Sequence, residues 1–204
     1  MRCVPNMIVA APRNEQELRN IMYTASLDSF KSHEKAITIR YPRGEGVMPA
    51  WRTTLEEIEI GKGVQVIEGE EIAILSIGHI GNEAIAACEK AREMGLKPAL
   101  FDMRFVKPLD EELLHRVFTQ FKTVITVEDA AIQGGFGSAI AEFMVDHHYA
   151  SKLIRLGIAD EIVEHGEQKE LYALCGIDAN GILAKIQANT IPVPAKNNPK
   201  ALVS

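Results

Sequence analysis

The sequence predicts an α/β protein: a mostly parallel β-sheet with helices on both faces, preceded by a partial βαβ segment of a second α/β domain. Three observations carry this. Strand-like apolar runs alternate with helix-like stretches, and parallel strands need crossovers that lay a helix over a sheet face. The run "EIAILSIG" at 71–78 is continuously apolar, as a strand covered on both faces is. Residues 1–42 read strand, helix, strand, and the pattern then breaks before resuming.

Each element has its own signal. "NMIVAAP" (6–12) is a short buried strand closed by Pro12. Asn14 caps the following helix, with Glu17 completing an Asn-x-x-Glu capping box. Leu18, Ile21, Met22 and Ala25 share one face of that helix. "AITIRYP" (36–42) is the second strand. From Gly44 to Glu59 two glycines, Pro49, the only tryptophan and "LEEIE" interrupt the pattern, and the stretch reads as a linker lying against the protein surface.

Beyond it "GVQVIEG" alternates like an edge strand, and the buried run at 71–78 follows. A helix opens at Asn82, with Ile80, Ala84, Ala87, Cys88 and Ala91 on its inner face and Gly95 as a left-handed cap. Strand "PALFDM" (98–103) precedes a helix capped by Asp110, whose stripe is Leu113, Leu114, Val117, Phe118 and Phe121. Strand 123–129, a glycine-rich turn, a helix over 138–147, strand 152–158 and short helices near 167–174 and 179–187 complete the series. The expected organisation is 1–45 as the end of one α/β domain, 46–59 as linker, 60–188 as a whole domain and 189–204 as a disordered tail. The chain opens with "MRCVPNMIVAAP" and enters a strand with no lead-in, which reads as the mark of a fragment.

Composition narrows the function. Of 204 residues 47% are apolar, enough for a sizeable core. A net charge of −6 with no basic cluster argues against nucleic acid. No apolar run approaches the ~18 residues of a membrane span, and no signal segment opens the chain. Cys3, Cys88 and Cys175 are odd in number and far apart, which suits reduced thiols in a cytoplasmic protein.

Parallel sheets bind ligands at the carboxyl ends of their strands, where this sequence puts His79, Asp102, Arg104, Glu128, Asp129 and Asp160. A histidine among carboxylates can do acid–base chemistry, but strand ends are polar in any case. "IQGGFGSAIAE" (132–142) sets glycines before a helix, yet Ile140 stands where a dinucleotide fingerprint needs its third glycine and no Walker Lys-Ser/Thr follows. Those glycines fit a tight strand-to-helix turn better. His147 and His148 read as a solvated helix end, since no further metal ligand lies nearby. In "ITIRYPRGEG" (37–46) two arginines three residues apart could hold a phosphate or brace a turn.

The phrases "RCVPNMIVAAP", "IRYPRG", "IGKG", "FDMRFVKPLD", "VEDAAIQGGFGSAIAE" and "LGIAD", in this order, resemble the C-terminal part of the 1-deoxy-D-xylulose-5-phosphate synthase family, over nearly all of residues 2–188. Single phrases are shared with other thiamine enzymes, including 2-oxoacid dehydrogenase β subunits. The resemblance implies a transketolase-like fold, with 1–45 ending the pyrimidine-binding domain and 60–188 forming the transketolase-type C-terminal domain. It also implies thiamine diphosphate and Mg²⁺ in the full-length enzyme, with pyruvate and D-glyceraldehyde 3-phosphate as substrates. A homodimer is implied too, while neither nucleic acid nor membrane is an expected partner.

The family's Gly-Asp-Gly…Asn metal motif does not occur in this sequence. The fragment alone is therefore expected to bind no cofactor and to be inactive. Arg43 matches an arginine that holds the phosphate of glyceraldehyde 3-phosphate, and Arg40 is expected to brace domain contacts. The strand-end cluster around His79 and Asp102 then loses its catalytic claim. Two rival readings are a fragment of a 2-oxoacid dehydrogenase β subunit and a non-catalytic assembly module.

Overall fold

A computed structural model describes residues 1–31 and 34–190. The elements in order are β1 (Met7–Ala10), α1 (Glu15–Ser26), α2 (Asp28–Lys31), β2 (Ala36–Ile39), β3 (Val64–Ile67), β4 (Ile72–Ser76), α3 (Gly81–Glu93) and β5 (Pro98–Asp102). Then come β6 (Phe105–Lys107), α4 (Glu111–Gln120), β7 (Thr123–Ala131), α5 (Phe136–Asp146), β8 (Lys152–Ile158), α6 (Gln168–Leu174) and α7 (Ala179–Asn189). Of the expected tail 189–204, Asn189 is the last residue of α7 and residues 191–204 lie outside the described residues.

Two sheets form, one of five strands in the order β3-β5-β4-β7-β8 and one of three in the order β2-β1-β6. In the larger sheet β4 pairs parallel with β5 and β7, and β7 with β8, while β3 runs antiparallel on the edge. All five residues of β4 and of β5 are buried. Helices cover both faces, as predicted. On one face Leu113, Leu114, Val117 and Phe118 of α4 pack with Phe136, Ile140 and Phe143 of α5. On the other, Ala84, Ala87, Cys88 and Ala91 of α3 meet Ile182 and Ile186 of α7.

The start of α3 is tight at Gly81, where a Cβ would crowd the side chains of Arg13 and Ser76. Its end is a left-handed cap, with Gly95 at φ +84° and the Leu96 amide donating to the Ala91 carbonyl at 3.0 Å.

The small sheet contains a strand that the sequence does not announce. After β5, Arg104 takes φ +54° and its amide donates to Asp102 Oδ1 at 3.1 Å. This turns the chain out of the large sheet and lays β6 antiparallel against β1, with Ala10 opposite Phe105. A three-residue strand carries too little alternation to be read from its residues. It supplies cover for the first segment: Phe105 joins Ile8, Ala10, Ile21, Phe30 and Ile58 in a separate core.

Two details of α1 correct the sequence reading. Asn14 does cap it, accepting from the Glu17 amide at 3.0 Å, but the Glu17 carboxylate is taken by Arg104, at 2.8 and 2.7 Å, instead of closing a capping box. Met22 is exposed, whereas Asn20 and Thr24 are buried. The cause is the stretch 46–59, which lies along the helix. The Glu56 amide donates to Asn20 Oδ1 at 3.2 Å and the Ile58 amide to Thr24 Oγ1 at 2.8 Å, so the two buried polar residues satisfy a strandless backbone. Arg19 adds hydrogen bonds to the carbonyls of Trp51 and Thr53 at 3.1 and 3.0 Å. Helix α5 also begins two residues before the predicted 138.

Candidate functional site

The carboxyl ends of β2, β4, β5 and β7 meet where the first segment rests on the large sheet, and the predicted polar residues collect along this seam. Three of them, Asp102, Arg104 and Asp129, are paired across it. Arg13 Nε donates to Asp102 Oδ2 at 3.3 Å, and Asn82 binds the Arg13 carbonyl at 3.1 Å. Arg40 donates to Asp129 Oδ1 at 2.5 Å and to the Asp129 carbonyl at 2.7 Å, while Tyr172 donates to Asp129 Oδ2 at 3.2 Å. Burial opposes the charge on Arg40, and Asp129 more than offsets this, so the guanidinium pKa is raised. Burial and the neighbouring Asp129 both push the Tyr172 phenol up.

Asp102 is 1% exposed, and burial pushes its carboxyl up to about 6, helped by the nearby charge of Glu17. Its oxygens accept from Arg104 and Arg13, so the carboxylate is occupied in holding the seam and not in acid–base chemistry. Asp160, the last of the strand-end residues, is simply exposed.

The glycine-rich turn is explained by a residue that sequence reasoning left unassigned to it. Glu128, at the end of the buried part of β7, accepts from the amides of Phe136 and Gly137, both at 2.8 Å. The positive end of α5 is thus filled by the protein's own carboxylate, which leaves no place there for a phosphate. Burial pushes the Glu128 carboxyl up, against these two donors. A Cβ on Gly135 would overlap Glu128 Oε2 and the Ala131 carbonyl, so close approach is what the glycine permits. The only signal in the sequence was a carboxylate eight residues ahead of Phe136. His147 and His148 are exposed at the end of α5, and His147 packs on Phe143 and His115 with ring centroids 4.3 and 4.6 Å apart.

Arg43 differs from Arg40. It sits on the exposed turn 41–46, and among the described residues its guanidinium has no hydrogen-bond or ion-pair partner. Gly44 takes φ +153°, a backbone that side-chain-bearing residues rarely adopt. The turn arches over a cavity of about 240 Å³ lined by Pro12, Arg13, Leu18, Tyr41, Gly46 and His79, among others. His79 Nδ1 is buried there without a partner among the described residues. The turn thus carries an exposed guanidinium without a partner among the described residues, and such a planar cation suits an oxyanion such as a phosphate ester.

No group of three or more His, Cys, Asp or Glu residues that could hold a metal ion occurs among the described residues.

Comparison with known proteins agrees with the fold. Residues 61–182 match the family described as transketolase, C-terminal domain. The chain is 60% identical over 186 residues to 1-deoxy-D-xylulose-5-phosphate synthase of Cytophaga hutchinsonii, covering 91% of this chain and 29% of that protein. It is 49% identical over 183 residues to the Porphyromonas gingivalis enzyme of the same name, covering 90% of this chain and 28% of that protein. The chain thus spans under a third of the length of these curated relatives.

Among solved structures, a split gene transketolase described as an inactive beta4 tetramer superposes with TM-score 0.74 at 27% identity, over 93% of this chain and 59% of that one. A Pichia stipitis transketolase mutant shares the fold, with TM-score 0.62 at 16% identity over 92% of this chain and 26% of that one. The matched span takes in the whole five-stranded sheet and helices on both its faces, and the chain belongs to the transketolase C-terminal domain family.

Proposed function

We propose that this chain is the C-terminal portion of a 1-deoxy-D-xylulose-5-phosphate synthase. That enzyme is a thiamine-diphosphate- and Mg²⁺-dependent transferase that condenses pyruvate with D-glyceraldehyde 3-phosphate, losing CO₂, for isoprenoid, thiamine and pyridoxal precursors. It works as a cytoplasmic homodimer. The observation that carries the reading is identity of 60% over 186 residues with the Cytophaga hutchinsonii enzyme, which must run through both the βαβ segment and the larger sheet. Among the described residues no helix is long and apolar enough to cross a membrane.

In this reading the chain contributes three things. Its large sheet is scaffold and dimer surface. Arg40, committed to Asp129, fixes the end of β2 to β7. Arg43, left free on the turn, holds the phosphate of glyceraldehyde 3-phosphate through its planar fork of donors. The cofactor's ligands belong to the remainder of the enzyme, so no chemical step is assigned to these residues. The fragment alone is inactive, a reading supported by the description of the split transketolase chain as inactive.

The test is a chimera in which this chain replaces the matching stretch of the Cytophaga hutchinsonii synthase. It should form 1-deoxy-D-xylulose 5-phosphate from pyruvate and glyceraldehyde 3-phosphate, while the isolated chain releases no CO₂ from pyruvate. A folded chimera that accepts lipoamide in place of the phosphorylated aldehyde would instead support the 2-oxoacid dehydrogenase reading.

A further inference from the structure

The turn that carries Arg43 is fastened at both ends and free between them. At its start the Arg40 amide donates to the Ala10 carbonyl at 2.8 Å, and the Arg40 side chain is tied to Asp129. Just past its end, the amides of Val47 and Met48 donate to the two carboxylate oxygens of Glu15, at 2.8 and 3.0 Å. Glu15 is the first residue of α1, whose own first-turn amides make a carboxylate favourable there. Gly46 lies directly over this carboxylate: a Cβ at that position would overlap Glu15 Oε1 and crowd its Cδ. Because the obstructing atoms are the far end of a flexible side chain, adding a methyl at 46 would displace the carboxylate and not the helix. Among the described residues, 41–46 make no such bond to the body themselves, so the position of Arg43 is set by the two fastenings.

We infer that Glu15 is a positioning residue for Arg43, acting through the backbone of Val47 and Met48, and that Gly46 is required because it leaves the carboxylate room. This rests on the reading of Arg43 as the phosphate ligand. A loop with one end released samples many positions, and orienting a charged group is worth as much as supplying it.

The experiment uses the chimeric synthase, with each substrate varied in turn. Glu15→Ala should raise KM for glyceraldehyde 3-phosphate about tenfold, the scale of one charge-assisted hydrogen bond (about 1.4 kcal/mol). KM for pyruvate and kcat should stay near the parent values. Gly46→Ala should reproduce the effect with Glu15 intact, and serves alone if Glu15→Ala does not fold. Glu15→Gln, which keeps one acceptor oxygen, should fall between. On an Arg43→Ala background Glu15→Ala should add nothing further. Equal losses for both substrates, or effects that add fully to those of Arg43→Ala, would overturn the inference and leave Glu15 a purely structural residue. If Arg43→Ala raises KM for the phosphorylated aldehyde but Glu15→Ala and Gly46→Ala do not, the positioning role fails alone. If Arg43→Ala itself leaves that KM unchanged, the phosphate reading fails with it.

Discussion

Asp102 sits where its charge is least welcome, and the consequence is a pH dependence with a definite sign. Its carboxyl is pushed by burial from the ordinary 3.8 up to about 6 in the folded state. Between these values the folded chain holds a proton that the unfolded chain has lost, so stability falls as pH rises through this window and is greatest below it. The full difference is on the order of 3 kcal/mol. Asp102→Asn keeps an oxygen for the Arg104 amide and removes the titration. Urea midpoints measured from about pH 4 to about pH 6.5 should decline for the parent and lie flatter for the variant; parallel curves would show that another group titrates. The two arginines of the RYPRG turn divide in a similar way, by what already holds them. Arg43 has no partner among the described residues; on the proposed phosphate role, Arg43→Ala in the chimeric synthase should weaken use of glyceraldehyde 3-phosphate by roughly 10- to 150-fold, with pyruvate handling little changed. Arg43→Lys should recover part of this loss, since it keeps charge without the fork. Arg40→Ala removes the bond to Asp129 and should lower the melting temperature while leaving the aldehyde KM near normal. The opposite pattern in steady-state kinetics would exchange the two assignments.

Elements differ in how far their residues announced them, and the reason is whether the information is local. Helix α4 was legible in full, because Asp110, the acidic first turn and the apolar stripe all lie within its own span. Strands β4, β7 and β8 were legible from continuous or bounded apolar runs. By contrast β6 is three residues long and exists because β1 needs a neighbour, a fact written elsewhere in the chain. The same holds for Glu128: nothing adjacent to it says that it will fill the end of α5. In the stretch 46–59 the sequence showed only a broken pattern, while its fastening to α1 depends on side chains of Arg19, Asn20 and Thr24 some thirty residues earlier. Trp51 makes that fastening measurable. The Arg19 guanidinium lies 5.4 Å and that of Arg52 4.8 Å from its ring centroid, and Trp51 is the sole tryptophan. Arg19→Ala should shift its fluorescence to longer wavelength and raise its accessibility to a neutral quencher, at a stability cost of about 1 kcal/mol. Unchanged emission and quenching would mean that the stretch is held by Glu15 and Ile58 without Arg19.

At the scale of the molecule, the question is how a βαβ segment stays on a sheet to which it contributes no strand. Charged pairs line the seam: Arg2 with Glu142, Arg13 with Asp102, Glu17 with Arg104, Arg40 with Asp129. Two of the four, Arg2–Glu142 and Arg40–Asp129, have a partner open to solvent, and exposed pairs contribute about 0–1 kcal/mol each. Glu17–Arg104 combines bidentate geometry with burial, its side chains being 15% and 20% exposed. Apolar burial contributes more. Phe105 is 0% exposed and is the fully buried residue that the large-domain span sends into the core of the first segment, beside Ile8, Ile21 and Phe30, with Ile60 packed against them. Its truncation should cost about 3–5 kcal/mol, and the loss should fall on the small core, whose few residues cannot close the gap. Hydrogen exchange on Phe105→Ala should therefore show the amides of β1 and β2 exchanging far faster, while those of β4, β5 and β7, buried between α3 and α4, keep their protection. In the parent chain the same order should hold in weaker form, with residues 7–39 opening before 72–127, since only the second span holds a self-sufficient core. A uniform loss of protection across both sheets would contradict this. It would mean that the seam joins the two spans into one cooperative unit, and that β6 serves the large sheet as much as the segment it covers.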